Sequence, residues 1–391
     1  MAADDPSTAD FPARQRIAAG HEDLPVLSAA VMTHPDRLSQ ARAVAAGLAP
    51  LDAALAVDPE PDGPPSTVRS ARLAYAAVAP DATHHLVVQD DVLLPDGFAA
   101  AARQSLARQP RAAVSYFVEW GSRTAALVRF AALTGASWVP MVNPYVPTQA
   151  LALPADVARE FAAFLATQPD TGVADDELAL DFLGRAGVPC LVTVPNLVEH
   201  DDRSSLIGNH AHGVRLSACL LPDGPGPAGD AAQLTGGVLD VPALLPFLAW
   251  TDGTATTIDT TDGSYSTRLP TGRVLAGWGW DGTELTDAYR AALADIPAGG
   301  ALRAEIGDRH LRALWETAVA TGVVLSTNWP ESAERLTERL ETPLARRALR
   351  SMGPGALRTF HDFDLLTGRT EEFAALATAG LLHGAGQKPP T

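Results

Sequence analysis

The sequence predicts an α/β fold in which a mainly parallel sheet is flanked by helices, followed by a C-terminal unit of a small β-hairpin region and then helices. Three observations predict it. Short apolar runs at residues 26–32, 51–57 and 85–88 each stop at polar or turn-forming residues, as buried strands do. Alanine-rich helical stretches at 35–48 and 67–79 alternate with those runs, which is the pattern of parallel strands joined by crossover helices. Beyond residue 222 the texture changes to proline and glycine, then to long helical patterns. The 391 residues are 47% hydrophobic and 19% charged, ordinary usage for a folded protein of two or three domains.

Taken in order, residues 1–22 lack a continuous apolar core and read as a tail without a secretory signal. The run at 26–32 ends at Thr33-His34-Pro35 and feeds the first helix. The second run ends at Asp58, and Pro59-Glu60-Pro61-Asp62-Gly63-Pro64-Pro65 is a loop by composition. The third ends at Gln89-Asp90-Asp91. A strand at 112–118, helices at 154–166 and 175–186, and a strand at 189–194 complete a domain spanning 23–215. Residues 216–283 read as a linker and small β region, in which Asp262-Gly263 is a favourable turn between strands at 255–259 and 264–269. Residues 284–383 read as a helical unit with helices at 308–321, 331–349 and 370–382, and 384–391 as a loose tail.

Subtracting 46 acidic from 29 basic side chains gives −17, and the only lysine is Lys388. A surface this acidic repels nucleic-acid backbones and anionic lipid. Two cysteines, Cys190 and Cys219, form no disulfide framework and no zinc-ligand spacing. With no apolar run of about 18 residues, no membrane-spanning segment is expected, and the expected location is cytoplasmic.

Adjacent carboxylates Asp90 and Asp91 at the end of an apolar strand stand at the edge where open α/β sheets gather ligands. Like charges there call for a cation, and carboxylate oxygens favour Mg²⁺ or Mn²⁺; the plain alternative is a solvated loop. Downstream, a strand and proline turn deliver His200, an imidazole able to complete a divalent site; read alone it is first a surface histidine beside acidic residues. Asp175-Asp176-Glu177 open a helix, where acidic residues are favoured by the exposed N–H groups and where a carboxylate can also serve as a general base. Trp120, Trp138, Trp278 and Trp280 are read first as core residues and second as sugar-stacking platforms.

Together these elements, in this order and spacing across residues 24–210, resemble the nucleotide-sugar glycosyltransferases of the GT-A fold, in their bacterial, lipopolysaccharide-type or family-2-like branch. The carrying segments are 27–32, 67–75, His85-Leu86-Val87-Val88-Gln89-Asp90-Asp91-Val92, 147–154, Asp175-Asp176-Glu177-Leu178 and Val194-Pro195-Asn196-Leu197-Val198-Glu199-His200. The resemblance implies that Asp91 and His200 ligate Mn²⁺ or Mg²⁺, that Asp90 supports the metal or the ribose, and that a nucleoside-diphosphate sugar is the donor. It implies further that Thr33, His34, Arg37, Asp58 and Arg69 surround the nucleoside, that residues 149–153, beginning with Gln149, line the donor sugar, and that Asp176, beside Asp175, is the base of an inverting displacement. Arg203 is a candidate phosphate clamp or a surface arginine balancing Asp201 and Asp202. Gln89 stands where the family carries an acidic residue.

The alternatives are a non-catalytic module on the same fold that binds a nucleotide sugar or a protein, and a retaining transferase. A dinucleotide-binding dehydrogenase, a P-loop nucleotidase and an α/β-hydrolase are excluded by the absence of their glycine and nucleophile motifs. The acceptor is not named by the sequence, and a homodimer through the helical unit is compatible with it.

Overall fold

The structure, a computed structural model, describes residues 24–201, 212–220 and 234–386. The expected N-terminal tail, the turn-rich stretch at 222–229, Arg203 and the last five residues lie outside them.

The strands are β1 (Leu27–Thr33), β2 (Ala54–Val57), β3 (His84–Gln89), β4 (Val92–Leu93), β5 (Ala113–Ser115), β6 (Trp138–Pro140), β7 (Ala150–Pro154), β8 (Cys190–Thr193), β9 (Glu199–His200), β10 (Leu244–Ala249), β11 (Thr254–Asp259) and β12 (Thr267–Pro270). Seven form one sheet in the order β2-β1-β3-β7-β5-β8-β6. β1 pairs in parallel with both β2 and β3, and β5 with β8, while β7 and β6 run the other way. The sheet is therefore α/β and mostly parallel, with β7 inserted antiparallel at its centre. Strands this buried read as unbroken apolar runs, which is why β1 and β3 were visible in the sequence.

Helices cover both faces. On one, α1 (Leu38–Gly47) and α3 (Phe98–Arg108) bury Ala41, Val44, Phe98 and Ala102 against Val31 and Val88. On the other, α2 (Val68–Ala76), α5 (Ala155–Leu165) and α6 (Asp175–Ala186) bury Tyr75, Phe161 and Leu183 against Ala30, Val87 and Leu151. Alternation of the inward face along each strand feeds both layers. Between α3 and α5 lies α4 (Arg123–Thr134), which starts on the Ser122 side-chain cap and ends at Gly135 in the left-handed conformation.

C-terminal to the main sheet, β10, β11 and β12 form an antiparallel sheet, so the expected hairpin around Asp262-Gly263 has a third strand beside it. The 21-residue helix Asp308–Asn328 forms the axis of the helical region, with Thr370–Ala385 packed along it. That contact is close because glycines permit it: a Cβ on Gly384 would lie 2.0 Å from the Val319 carbonyl oxygen, and one on Gly322 would lie 2.2 Å from that of Leu381. The single helix expected at 331–349 is instead three, Pro330–Glu334, Leu336–Leu340 and Pro343–Arg350; Pro343 cannot continue a helix and starts a new one, capped by Thr342. The last helix also runs to Ala385, so residues 384 and 385 are helical, not tail.

The helical region shares a core with the main sheet's domain. Leu127 and Phe130 of α4, Phe247 of β10, Val324, Leu336 and Leu349 belong to one apolar cluster. Arg129, buried within α4, ties the two parts by donating to the Ala348 carbonyl at 3.1 Å and to Ser351 Oγ at 3.1 Å.

Candidate functional site

A cleft of about 610 Å³ opens at the edge where β1, β2 and β3 end together. Because these strands are parallel, the residues at or just past their C-terminal ends, Thr33, Asp58 and Gln89 to Asp91, converge there. The N-terminal ends of α2 and α6 and a wall from the C-terminal region close the other sides.

On the β2 side, Arg69 donates from Nε and Nη2 to the two carboxylate oxygens of Asp58, at 2.7 and 2.8 Å. It also donates to the carbonyls of Pro64 and Glu60, both at 3.0 Å. The guanidinium holds the Asp58 carboxyl below its usual value, outweighing burial. Asp58 and Arg69 thus line the cleft but bind each other, and their direct task is to brace the 59–66 loop. His34 caps the short 3₁₀ turn Pro35–Arg37 by accepting from the Asp36 amide, and its ring faces the Pro61 carbonyl at 3.5 Å.

At the β3 end, Thr33 donates to Asp90 Oδ2 at 2.6 Å, and Arg37 donates to Asp90 Oδ1 at 3.2 Å and Asp91 Oδ2 at 3.4 Å. Burial raises the Asp90 carboxyl pKa despite the Thr33 and Arg37 contacts. Asp91 Oδ2 lies 3.5 Å from His200 Nε2, because β9 pairs with β4 and sets His200 opposite Val92. The Asp201 amide donates to the Asp91 carbonyl at 2.7 Å and closes this corner. Burial acts to raise the Asp91 carboxyl, but the His200 hydrogen bond, together with the positive charges of Arg37 and Arg215, leaves it below the ordinary value.

Two observations bear on a metal here. Asp91 Oδ1 is buried and makes no hydrogen bond among the described residues. Its other oxygen stands from His200 at about the separation that two ligands of one divalent ion adopt when each bond is roughly 2.1 Å. Among the described residues no group of three or more His, Cys, Asp or Glu side chains is arranged as a metal cage. The pair fits a two-ligand site completed by substrate or water oxygens.

Facing this corner is the first turn of α6. Asp175 is buried, and burial pushes its carboxyl pKa up, only partly offset by the Thr67 and Thr148 hydroxyls. Asp176 lines the cleft; burial first, and the Asp175 charge second, push its pKa up to about 7. Gln89 donates to Thr148 Oγ1 at 3.0 Å and so ties the end of β3 to the segment that precedes β7. Of residues 149–153, Gln149 lines the cleft, whereas Ala150, Leu151, Ala152 and Leu153 lie in β7 with no exposed surface. From this segment the cleft is lined by Pro147, Thr148 and Gln149, just ahead of the strand.

Sequence reasoning missed the far wall: Glu119, Tyr145, His212, Arg215, Trp250 and Arg358. Trp250 follows β10 at a Trp-Thr-Asp-Gly turn, the one feature that could have signalled it. Arg358 arrives from more than 200 residues downstream of Glu119 and pairs with it at 2.9 Å, an approach no local pattern encodes. Trp120, Trp138, Trp278 and Trp280 are not among the cleft residues; Trp120 and Trp138 are buried, and the other two pack against the core of the helical region.

Comparison of the chain with protein-family models finds no match, and comparison with the curated proteins finds none either.

Proposed function

We propose that the protein is a glycosyltransferase of the GT-A type, moving a sugar from a nucleoside-diphosphate sugar to an acceptor hydroxyl with inversion. The observation that supports this best is the Asp91–His200 contact at 3.5 Å on one side of a cleft whose other side holds a carboxyl with a pKa of about 7. The order of strands at the cleft edge, the Asp58–Arg69 brace and the Gln89–Asp91 strand end agree with it.

Asp91 and His200 would hold Mn²⁺ or Mg²⁺, which when bound supplies a Lewis acid for the diphosphate oxygens. Thr33 and Arg37 fix the Asp90 carboxylate, and Arg37 adds a positive charge beside Asp91. The loop braced by Arg69 walls the nucleoside end. Asp176 takes the acceptor hydroxyl proton as the new bond to the anomeric carbon forms and the bond to the diphosphate oxygen breaks. A base with a pKa near the working pH suits that task, and such proton transfer contributes about 10² to 10⁴ in rate.

The test is release of nucleoside diphosphate from a panel of nucleotide sugars with Mn²⁺, with the anomeric configuration of the product read by NMR. Turnover with inverted configuration supports the proposal. A cleft that binds donor but never releases nucleoside diphosphate under any acceptor makes the chain a binding module, and a retained configuration removes Asp176 as the base.

A further inference from the structure

The far wall of the cleft has no role in the donor chemistry above. Arg358 is its centre: its side chain is 2% exposed, yet it lines the cleft. Nη1 forms an ion pair with Glu119 Oε2 at 2.9 Å and donates to the Gly355 carbonyl at 2.7 Å, and Nε donates to the His212 carbonyl at 2.8 Å. One face of the guanidinium lies 4.5 Å from the Trp250 ring. Nη2 makes no hydrogen bond among the described residues.

The surrounding backbone is shaped to hold this side chain. A Cβ on Gly121 would sit 2.0 Å from Arg358 Nη1, one on Gly213 would meet the Arg358 carbonyl oxygen at 2.5 Å, and one on Gly355 would meet the Trp120 backbone at 2.6 Å. Gly213 also has a φ of +64°, which favours glycine. Gly121 thus leaves out a side chain where the guanidinium passes, while Gly213 and Gly355 allow the backbone to approach closely beside it.

The wall also has a definite place relative to the chemistry. The Val146 amide donates to the Asp176 carbonyl at 3.1 Å and the Tyr145 hydroxyl donates to Glu119 Oε1 at 3.5 Å, so this segment links the wall to the first turn of α6. His212 packs at 5.4 Å from Trp250, and Arg215 lies in the same stretch of the cleft. Within this wall the Glu119 charge is met by Arg358.

We propose that this wall is the acceptor subsite and that it takes an acceptor carrying an oxyanion, a carboxylate or a phosphate. The oxyanion would accept hydrogen bonds from Arg358, with the body of the acceptor against Tyr145 and Trp250 and its hydroxyl turned to Asp176. Arginine held by a carboxylate and an aromatic face presents its remaining N–H groups in fixed directions, a geometry suited to oxyanions. The assignment to an acceptor rests on the proposed sugar transfer; recognition of an oxyanion by the wall does not.

The test uses the full chain and three probes in ligand-observed NMR titrations: methyl glucuronide, glucose 6-phosphate and methyl glucoside. At least one of the two anionic probes is expected to bind about tenfold more tightly than the neutral one. Trp250→Ala should weaken that binding about tenfold, Arg358→Gln should abolish the preference, and Arg358→Lys should fold and keep part of it. Whichever anionic probe binds better tells carboxylate from phosphate. Equal binding of methyl glucoside, or an anionic preference that survives both Trp250→Ala and Arg358→Gln, overturns the proposal. Nucleoside-diphosphate binding, measured separately by thermal shift, should be unchanged in Trp250→Ala. If no nucleotide binds while the anionic preference and its loss in the variants are seen, the sugar-transfer reading fails and the oxyanion site stands.

Discussion

Asp176 and Asp91 are both carboxylates on the cleft, and their surroundings push them in opposite directions. Asp176 titrates at about 7, so the fraction able to accept a proton rises through neutral pH, and kcat/KM should climb from pH 6 to 8 along a single ionisation. Asp176→Asn should remove that limb and lower kcat by about 10² or more. Stability should move the other way. A folded-state pKa raised above the ordinary 3.8 means that the contribution of Asp176 is complete below about pH 4 and is lost as pH rises through about 7. Asp176→Asn is therefore expected to raise Tm relative to wild type at pH 8 and to leave it nearly unchanged at pH 4, measurable by scanning calorimetry. These two residues were legible in the sequence because each marks an element end: Asp91 closes an apolar run, and Asp176 stands in an acidic first turn. Arg358 and Trp250 were not, since what brings them to the cleft is tertiary packing.

Elements carry two further expectations. The Asp58–Arg69 pair braces the 59–66 loop at the wall of an open cleft, where solvent tempers the electrostatics. Asp58→Asn should lower stability by about 1.5–3 kcal/mol, the range for hydrogen bonds to a charged group. It should also weaken nucleotide binding more than it slows chemistry, separable as an effect on KM rather than kcat. The second concerns the long helix Asp308–Asn328 and its partner Thr370–Ala385. With a carbonyl 2.0 Å from any Cβ on Gly384, Gly384→Val must push the helices apart, lowering stability by about 1–3 kcal/mol in urea melts. Legibility differed by element for the same kind of reason. α6 was read to the residue because an acidic turn starts it and Gly187, in the left-handed conformation, stops it. α4 was missed although Ser122 caps it: ten of its twelve residues are buried, so its sequence shows no polar face to set a helical period. β7 was not read as a strand because a strand buried on both sides, pairing antiparallel between β3 and β5, shows neither alternation nor a flanking crossover helix on the expected schedule.

At the scale of the whole molecule, the sheet domain and the helical region share apolar core and buried polar ties, Arg129 to Ala348 and Ser351 among them, and the cleft takes residues from both. The class of fold was readable from alternating runs, but the union of the two regions was not, since shared packing leaves no periodic mark. No helix among the described residues is long and apolar enough to cross a membrane. The central claim is that the cleft binds a nucleoside diphosphate together with a divalent ion gripped by Asp91 and His200. Thermal shift with a panel of nucleoside diphosphates, with and without Mn²⁺, tests it most directly, since ligand at about 100 times its Kd adds about 2.7 kcal/mol of stability. The expected result is a Tm rise with at least one nucleotide that is larger with Mn²⁺ present, the Mn²⁺ increment vanishing in both Asp91→Ala and His200→Ala. No shift with any nucleotide, or a Mn²⁺ increment that persists in both variants, would contradict it.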